Sequence, residues 1–168
     1  MPNQLTHYSL RVLRGERVAL DCPVAIWRAP PQEMSAVPMQ TLPHQKERRP
    51  TSMDLLVYEL RKNLHLRNAF PMGITVGRVD SNDLWVDDAS VSRFHAYFMQ
   101  ATVRGKRGWC VVDAESLNGS YLNTFRLAPN KPELLKSGDT IRFGDVDLTF
   151  HDPESFAKLL GPVRAAKR

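Results

Sequence analysis

Phe94-His-Ala-Tyr-Phe-Met-Gln-Ala101 and Trp109-Cys-Val-Val-Asp113, with glycine between them, carry the reading of the fold. Both runs are short, rich in aromatic and β-branched residues, and bounded by turn formers, which is the character of half-buried strands rather than helices. Working outward, the same character recurs in Gly73–Arg78, Leu84–Val86, Ser120–Leu122, Thr140–Phe143 and Val146–Phe150, each set off by Gly, Asn, Asp or Ser. Seven short strands at close spacing predict an all-β chain built as a β-sandwich. Strands then supply the core, and the loops at one end are free to carry function.

The flanks read differently. Met53, Leu56, Val57, Leu60 and Leu64 fall on one helical stripe behind a capping-box-like Thr51-x-x-Asp54, so a helix is predicted over 52–65. Asp152 as N-cap, Pro153 as first helical residue and Gly161-Pro162 as stop predict a second short helix carrying Phe156, Leu159 and Leu160. Upstream, seven of the twelve prolines lie in residues 1–50, and 29–51 has almost no apolar period, which reads as a linker. Residues 9–20 are compatible with a small hairpin, a loose arm or an added edge of the main sheet. The division expected is an arm and linker at 1–50, a flanking helix at 51–68, the sandwich at 69–151, and a helix with a basic tail at 152–168.

The 168 residues suffice for one core and a small accessory unit. No run approaches the length of a membrane helix, and the first twenty residues interleave arginines with single aliphatics, so a cytoplasmic, non-secreted chain with no membrane partner is expected. Cys22 and Cys110 are far apart and lack metal-ligand spacing, so neither a disulfide framework nor a metal site is suggested, and a reducing compartment fits. The net charge of +5 divides into +3 over residues 1–50, zero over 51–150 and +2 over 151–168. The excess sits in the tails, with no basic block interleaved with aromatics in the core, and nucleic acid is discounted as a partner.

Three loops hold residues unusual for mere connections: Gly77-Arg78, Ser90-Val-Ser92-Arg93-Phe94-His95, and Ser116-Leu117-Asn118-Gly119-Ser120. A phosphoryl group brings nearly two negative charges and three acceptor oxygens, so its reader needs converging donors and positive charge but no acid. Arg78 offers a planar fork of donors, Ser92 a hydroxyl, and Arg93 a second cation. Asn118 has a donor and an acceptor for the main chain of an extended peptide, and Gly119 admits a positive φ. Taken singly, Arg78 reads as a surface arginine paired with Asp80 or Asp83, Ser92 as a turn residue, and Asn118-Gly119 as a tight-turn pair.

In this order and spacing, with Asn82-Asp83-Leu84, Asp113, Asn123 and Gly138-Asp-Thr-Ile-Arg-Phe-Gly144 around them, the loops resemble a forkhead-associated (FHA) domain over about residues 70–150. The resemblance implies an eleven-stranded sandwich that binds phosphothreonine peptides through loops at one end. It makes Arg78 and Ser92 phosphate contacts, with Arg93 beside them, and Asn118 a peptide-backbone contact. Gly77, His95 and Gly119 become loop-structural residues, His95 propping the binding loop from behind without touching ligand. One departure stands out: Leu117 occupies the place where the family commonly has threonine or another polar residue, and is read as a specificity position.

The functional expectation is a non-catalytic phosphothreonine reader with no cofactor, serving bacterial Ser/Thr kinase signalling, its partner a kinase or a kinase substrate. The alternative is a phosphate-independent interaction or dimerisation module using Leu117 or the apolar stripe at 53–64. An enzyme built on Ser92, His95 and Asp113 is rejected, because no nucleophile elbow surrounds the serine and no phosphate-cradling glycine loop is present.

Overall fold

A computed structural model of the chain describes residues 20–28, 55–64 and 70–159. Eleven strands and one helix run in the order β1 (Val24–Arg28), β2 (Leu55–Glu59), β3 (Ile74–Gly77), β4 (Leu84–Trp85), β5 (Ala96–Val103), β6 (Lys106–Asp113), β7 (Ser120–Leu122), β8 (Phe125–Arg126), β9 (Glu133–Leu134), β10 (Thr140–Phe143), β11 (Val146–His151) and α1 (Pro153–Leu159). One sheet has the order β2-β1-β11-β10-β7-β8 and the other β4-β3-β5-β6-β9, so the architecture is the all-β sandwich expected. The seven strands predicted from sequence are all present, with shifts at their ends. β8 and β9 are two residues each and have no period to read, while β1 lies upstream of the region assigned to the sandwich.

The helix predicted over 52–65 is not there. Leu55–Glu59 is strand β2, paired antiparallel with β1 in the register Val57 to Ile26 and Glu59 to Val24. Leu60 is 1% exposed and Leu64 87%, whereas one helical face would have buried both. The local spacing permits a helix, but Leu-Leu-Val-Tyr is also a good strand sequence. β1, itself bonded to β11 on its other side, offers this run a complete hydrogen-bond ladder. The apolar stripe proposed as a docking face therefore does not exist as such. Its first residues, the Thr51-x-x-Asp54 signal, the linker and residues 9–19 lie outside the described residues. β1 and β2 also carry the sandwich upstream of residue 69, where its start was expected.

The C-terminal helix forms as read. The Asp152 carboxylate accepts the Ser155 N–H at 2.7 Å, Pro153 follows it, and Phe156 is buried. The predicted stop at Gly161-Pro162 is outside the described residues. Among the described residues no helix is long and apolar enough to cross a membrane.

Phe98 of β5 and Phe143 of β10, both fully buried, meet edge to face at 6.1 Å and join the two sheets. Ile141, Leu148, Val76, Val111 and Leu84 fill the space around them. Burying side chains of this size contributes about 1.5–3 kcal/mol each, which gives the loops a rigid base. The antiparallel ladders return the chain repeatedly to one end. There Arg78 N–H donates to Ser92 O at 3.0 Å, Ala114 N–H to His95 O at 2.9 Å, and Gly144 N–H to Gly119 O at 3.2 Å.

Candidate functional site

Arg78, Ser92, Arg93, Leu117 and Asn118 all line one open cleft of about 950 Å³ at that end. They arrive from three loops: β3–β4, β4–β5 and β6–β7. Arg78 and Arg93 are exposed, and among the described residues neither guanidinium has an ion-pair partner. Asp83, one partner considered for Arg78, is committed elsewhere: its carboxylate accepts from Lys62 Nζ at 2.8 Å and from Thr75 N–H at 2.8 Å.

Ser92 is the junction of the loops. Its N–H donates to His95 Nδ1 at 2.9 Å, its carbonyl accepts Arg78 N–H, and its Oγ accepts Leu117 N–H at 3.0 Å. Among the described residues the hydroxyl proton has no acceptor, so it is available to the cleft. The Asn118 amide is partly used: Nδ2 donates to Ser90 O at 2.7 Å, and Ser90 is itself held by Asp88 and by the Asp145 N–H. Its Oδ1 faces no donor among the described residues.

His95 is fully buried behind the loops, its ring edge-on to Phe143 at 5.5 Å. Because Nδ1 accepts from Ser92 N–H, the ring proton sits on Nε2 and donates to Gly119 O at 3.2 Å. One neutral ring thus ties the β4–β5 loop to the β6–β7 loop. Burial pushes its pKa down, against smaller upward pulls from the Gly119 carbonyl and Asp113. A folded-state pKa below the ordinary value of about 6.5 means that the unfolded chain takes up a proton the folded chain refuses. Stability is then full above about pH 6.5 and declines as pH falls through that value towards the lowered one. His151, also lowered by burial, adds in the same direction. Calorimetric melting between pH 7.5 and 5.5 is expected to show a falling Tm, with a shallower slope in His95→Gln; a flat profile would contradict the neutral brace.

Gly77 is required by close approach and Gly119 by its positive φ. A Cβ on Gly77 would overlap the Arg93 carbonyl oxygen, and Gly119 has φ +81° with the Arg126 guanidinium 2.9 Å from where a Cβ would stand. Sequence reasoning assigned no role to Asn82, which is buried and donates to Val79 O at 2.9 Å and Arg93 O at 2.7 Å, fastening the arginine loops together. Nor did it assign one to Asp113, whose carboxylate accepts from Ser116 N–H, Ser116 Oγ and Ser120 Oγ. One acidic residue also stands at the cleft. Glu115 lines it, one carboxylate oxygen accepting from Asn130 Nδ2 at 2.7 Å. Among the described residues no three His, Cys, Asp or Glu side chains are grouped to hold a metal ion.

The family model described as FHA domain matches residues 74–144, the segment that holds all three loops. The chain is an FHA-domain protein. Over 76 residues it is 41% identical to a protein named oxoglutarate dehydrogenase inhibitor in Corynebacterium diphtheriae, an alignment covering 45% of this chain and 48% of that protein. Over 102 residues it is 34% identical to the glycogen accumulation regulator GarA of Mycobacterium tuberculosis, covering 60% of this chain and 59% of that one. Among solved structures, the MEK1 FHA domain in complex with a HOP1 phosphothreonine peptide is 33% identical, with a TM-score of 0.41, over 47% of this chain and 78% of that chain. The chain spans about half the length of the curated relatives it matches. The eleven strands implied by the FHA resemblance are present among the described residues, three of them (β1, β8 and β9) in stretches the sequence left unassigned and one, β2, where a helix was predicted.

Proposed function

We propose that this FHA domain binds a phosphothreonine-containing segment of a partner protein and leaves it intact, Arg78, Ser92 and Arg93 contacting the phosphate and Asn118 the peptide main chain. The observation that carries the reading is the convergence of Arg78, Ser92 and Asn118 on one cleft, with two guanidinium groups and a hydroxyl proton that have no partner among the described residues. Such donors hold a dianion strongly because each hydrogen bond is charge-assisted. Hydrolysis is not part of the proposal. His95 faces the backbone N–H of Ser92 rather than its hydroxyl, and Asp113 is occupied by Ser116 and Ser120, so neither serves the serine as a base.

The partner proposed is a Ser/Thr kinase or one of its substrates, and the role regulatory, as the names of the relatives suggest for those proteins. Calorimetric titration with matched phosphothreonine and threonine peptides tests this directly. The phosphorylated form is expected to bind at least about tenfold tighter, the effect of one charge-assisted contact. Equal binding would favour the phosphate-independent reading, for which the 87% exposure of Leu117 at the cleft is the supporting observation.

A further inference from the structure

Phe125 is 77% exposed although the strand register turns it inward. It stands opposite Leu122, and Leu122 stands opposite the fully buried Ile141. Residues directly opposite one another share a face, so all three lie on the core-facing side of their sheet. That side runs out of cover at β8, the last strand of its sheet; the other sheet ends at β9. Leu122, Phe125, Arg126 and Leu127 from the first edge and Glu133 from the second line an open groove of about 330 Å³. None of the residues lining this groove lines the cleft of Arg78 and Ser92. Arg126 and Glu133 bring opposite charges to it, yet among the described residues neither forms an ion pair. The groove therefore joins uncovered apolar surface, which water penalises, to one cation and one anion that do not satisfy each other.

We infer that this groove is a contact between two copies of the chain related by a two-fold axis, Phe125 of each seated in the groove of the other and Arg126 of each facing the partner's Glu133. The charges select the occupant. A rim with one cation and one anion favours neither an acidic nor a basic foreign surface. A two-fold axis sets each charge against its opposite, because residue i meets j and j meets i. The net charge of +5 does not oppose the pairing here, since residues 51–150, which hold the groove, sum to zero. Few side chains take part compared with the roughly 20–30 residues a side of a standard interface, so the pair is weak and forms as concentration rises. The inference is independent of the phosphothreonine reading.

Sedimentation equilibrium of the full chain from micromolar to millimolar concentration tests it. The average mass is expected to rise from that of one chain towards that of two, and the aromatic NMR signals of Phe125 to shift over the same range. In Phe125→Asp the mass should stay at one chain throughout, with an unchanged melting temperature because the ring is exposed. Arg126→Glu and Glu133→Arg should each weaken the pair at least about tenfold, and the double variant should restore it to within about threefold, a rescue that misfolding cannot produce. A chain that stays single at every concentration, a dimer that survives Phe125→Asp, or a double variant no better than the single ones overturns the inference. So does a Phe125 ring already shielded from solvent in the dilute single chain, which would make the cover a segment of the chain itself.

Discussion

Arg78→Ala is expected to weaken phosphothreonine-peptide binding by about ten- to a hundredfold while leaving the thermal unfolding midpoint nearly where it is. The two halves have separate causes. A charge-assisted hydrogen bond is worth about 1.5–3 kcal/mol, and a factor of ten corresponds to about 1.4 kcal/mol. The guanidinium is exposed and, among the described residues, pairs with no carboxylate, so the fold has little to lose. The backbone N–H of Arg78, which bonds Ser92, survives the substitution. Arg78→Lys should recover only part of the loss, because a point charge on a flexible stem cannot present two parallel donors to two phosphate oxygens. Calorimetric titration gives the affinity and a melting curve the stability. Affinity within a factor of two of the parent would mean that the phosphate is held elsewhere.

His95→Ala is expected to have the opposite signature, a large loss of stability with binding lost as a consequence. Removing the ring leaves the Ser92 N–H and the Gly119 carbonyl without their partner in a buried setting, at about 1–3 kcal/mol for each group. It also opens a cavity against Phe143. A loss of about 3–5 kcal/mol would lower Tm by on the order of 10–20 °C or more in a domain of this size. The mechanism is distinctive because His95 touches no cleft surface itself; it sets the spacing of the loops that carry Ser92 and Asn118. A Tm within a few degrees of the parent would show that the loops keep their places without the brace.

How far the site was legible can be judged residue by residue. The loop residues could be read from order and spacing, and the convergence of five of them on one cleft is a tertiary fact that spacing does not state. Asn118 shows the difference. Its type suggested an amide turned to a peptide, whereas half of that amide fastens Ser90, a residue 28 positions earlier. Glu115 and Phe70 enter the cleft with no local signal, since an exposed glutamate in a loop and a phenylalanine before a strand are both commonplace. Asn82 and Asp113 were visible as members of a pattern, but their work is to bond carbonyls and hydroxyls of other loops, and that appears only when the loops are assembled.

From the sequence alone followed the all-β class, seven strands, the capped C-terminal helix and the identity of the loops worth attention, because alternation, turn residues and caps act over a few neighbouring positions. The tertiary structure alone decided that residues 55–59 form a strand and not a helix, that β1 joins the sandwich, and that Phe125 lies on the core-facing side of its sheet yet stays in water. In each of these the deciding partner lies far along the chain. A hydrogen-bond ladder from β1 outweighs a local helical spacing, and only the pairing of Leu122 with Ile141 fixes which way Phe125 faces.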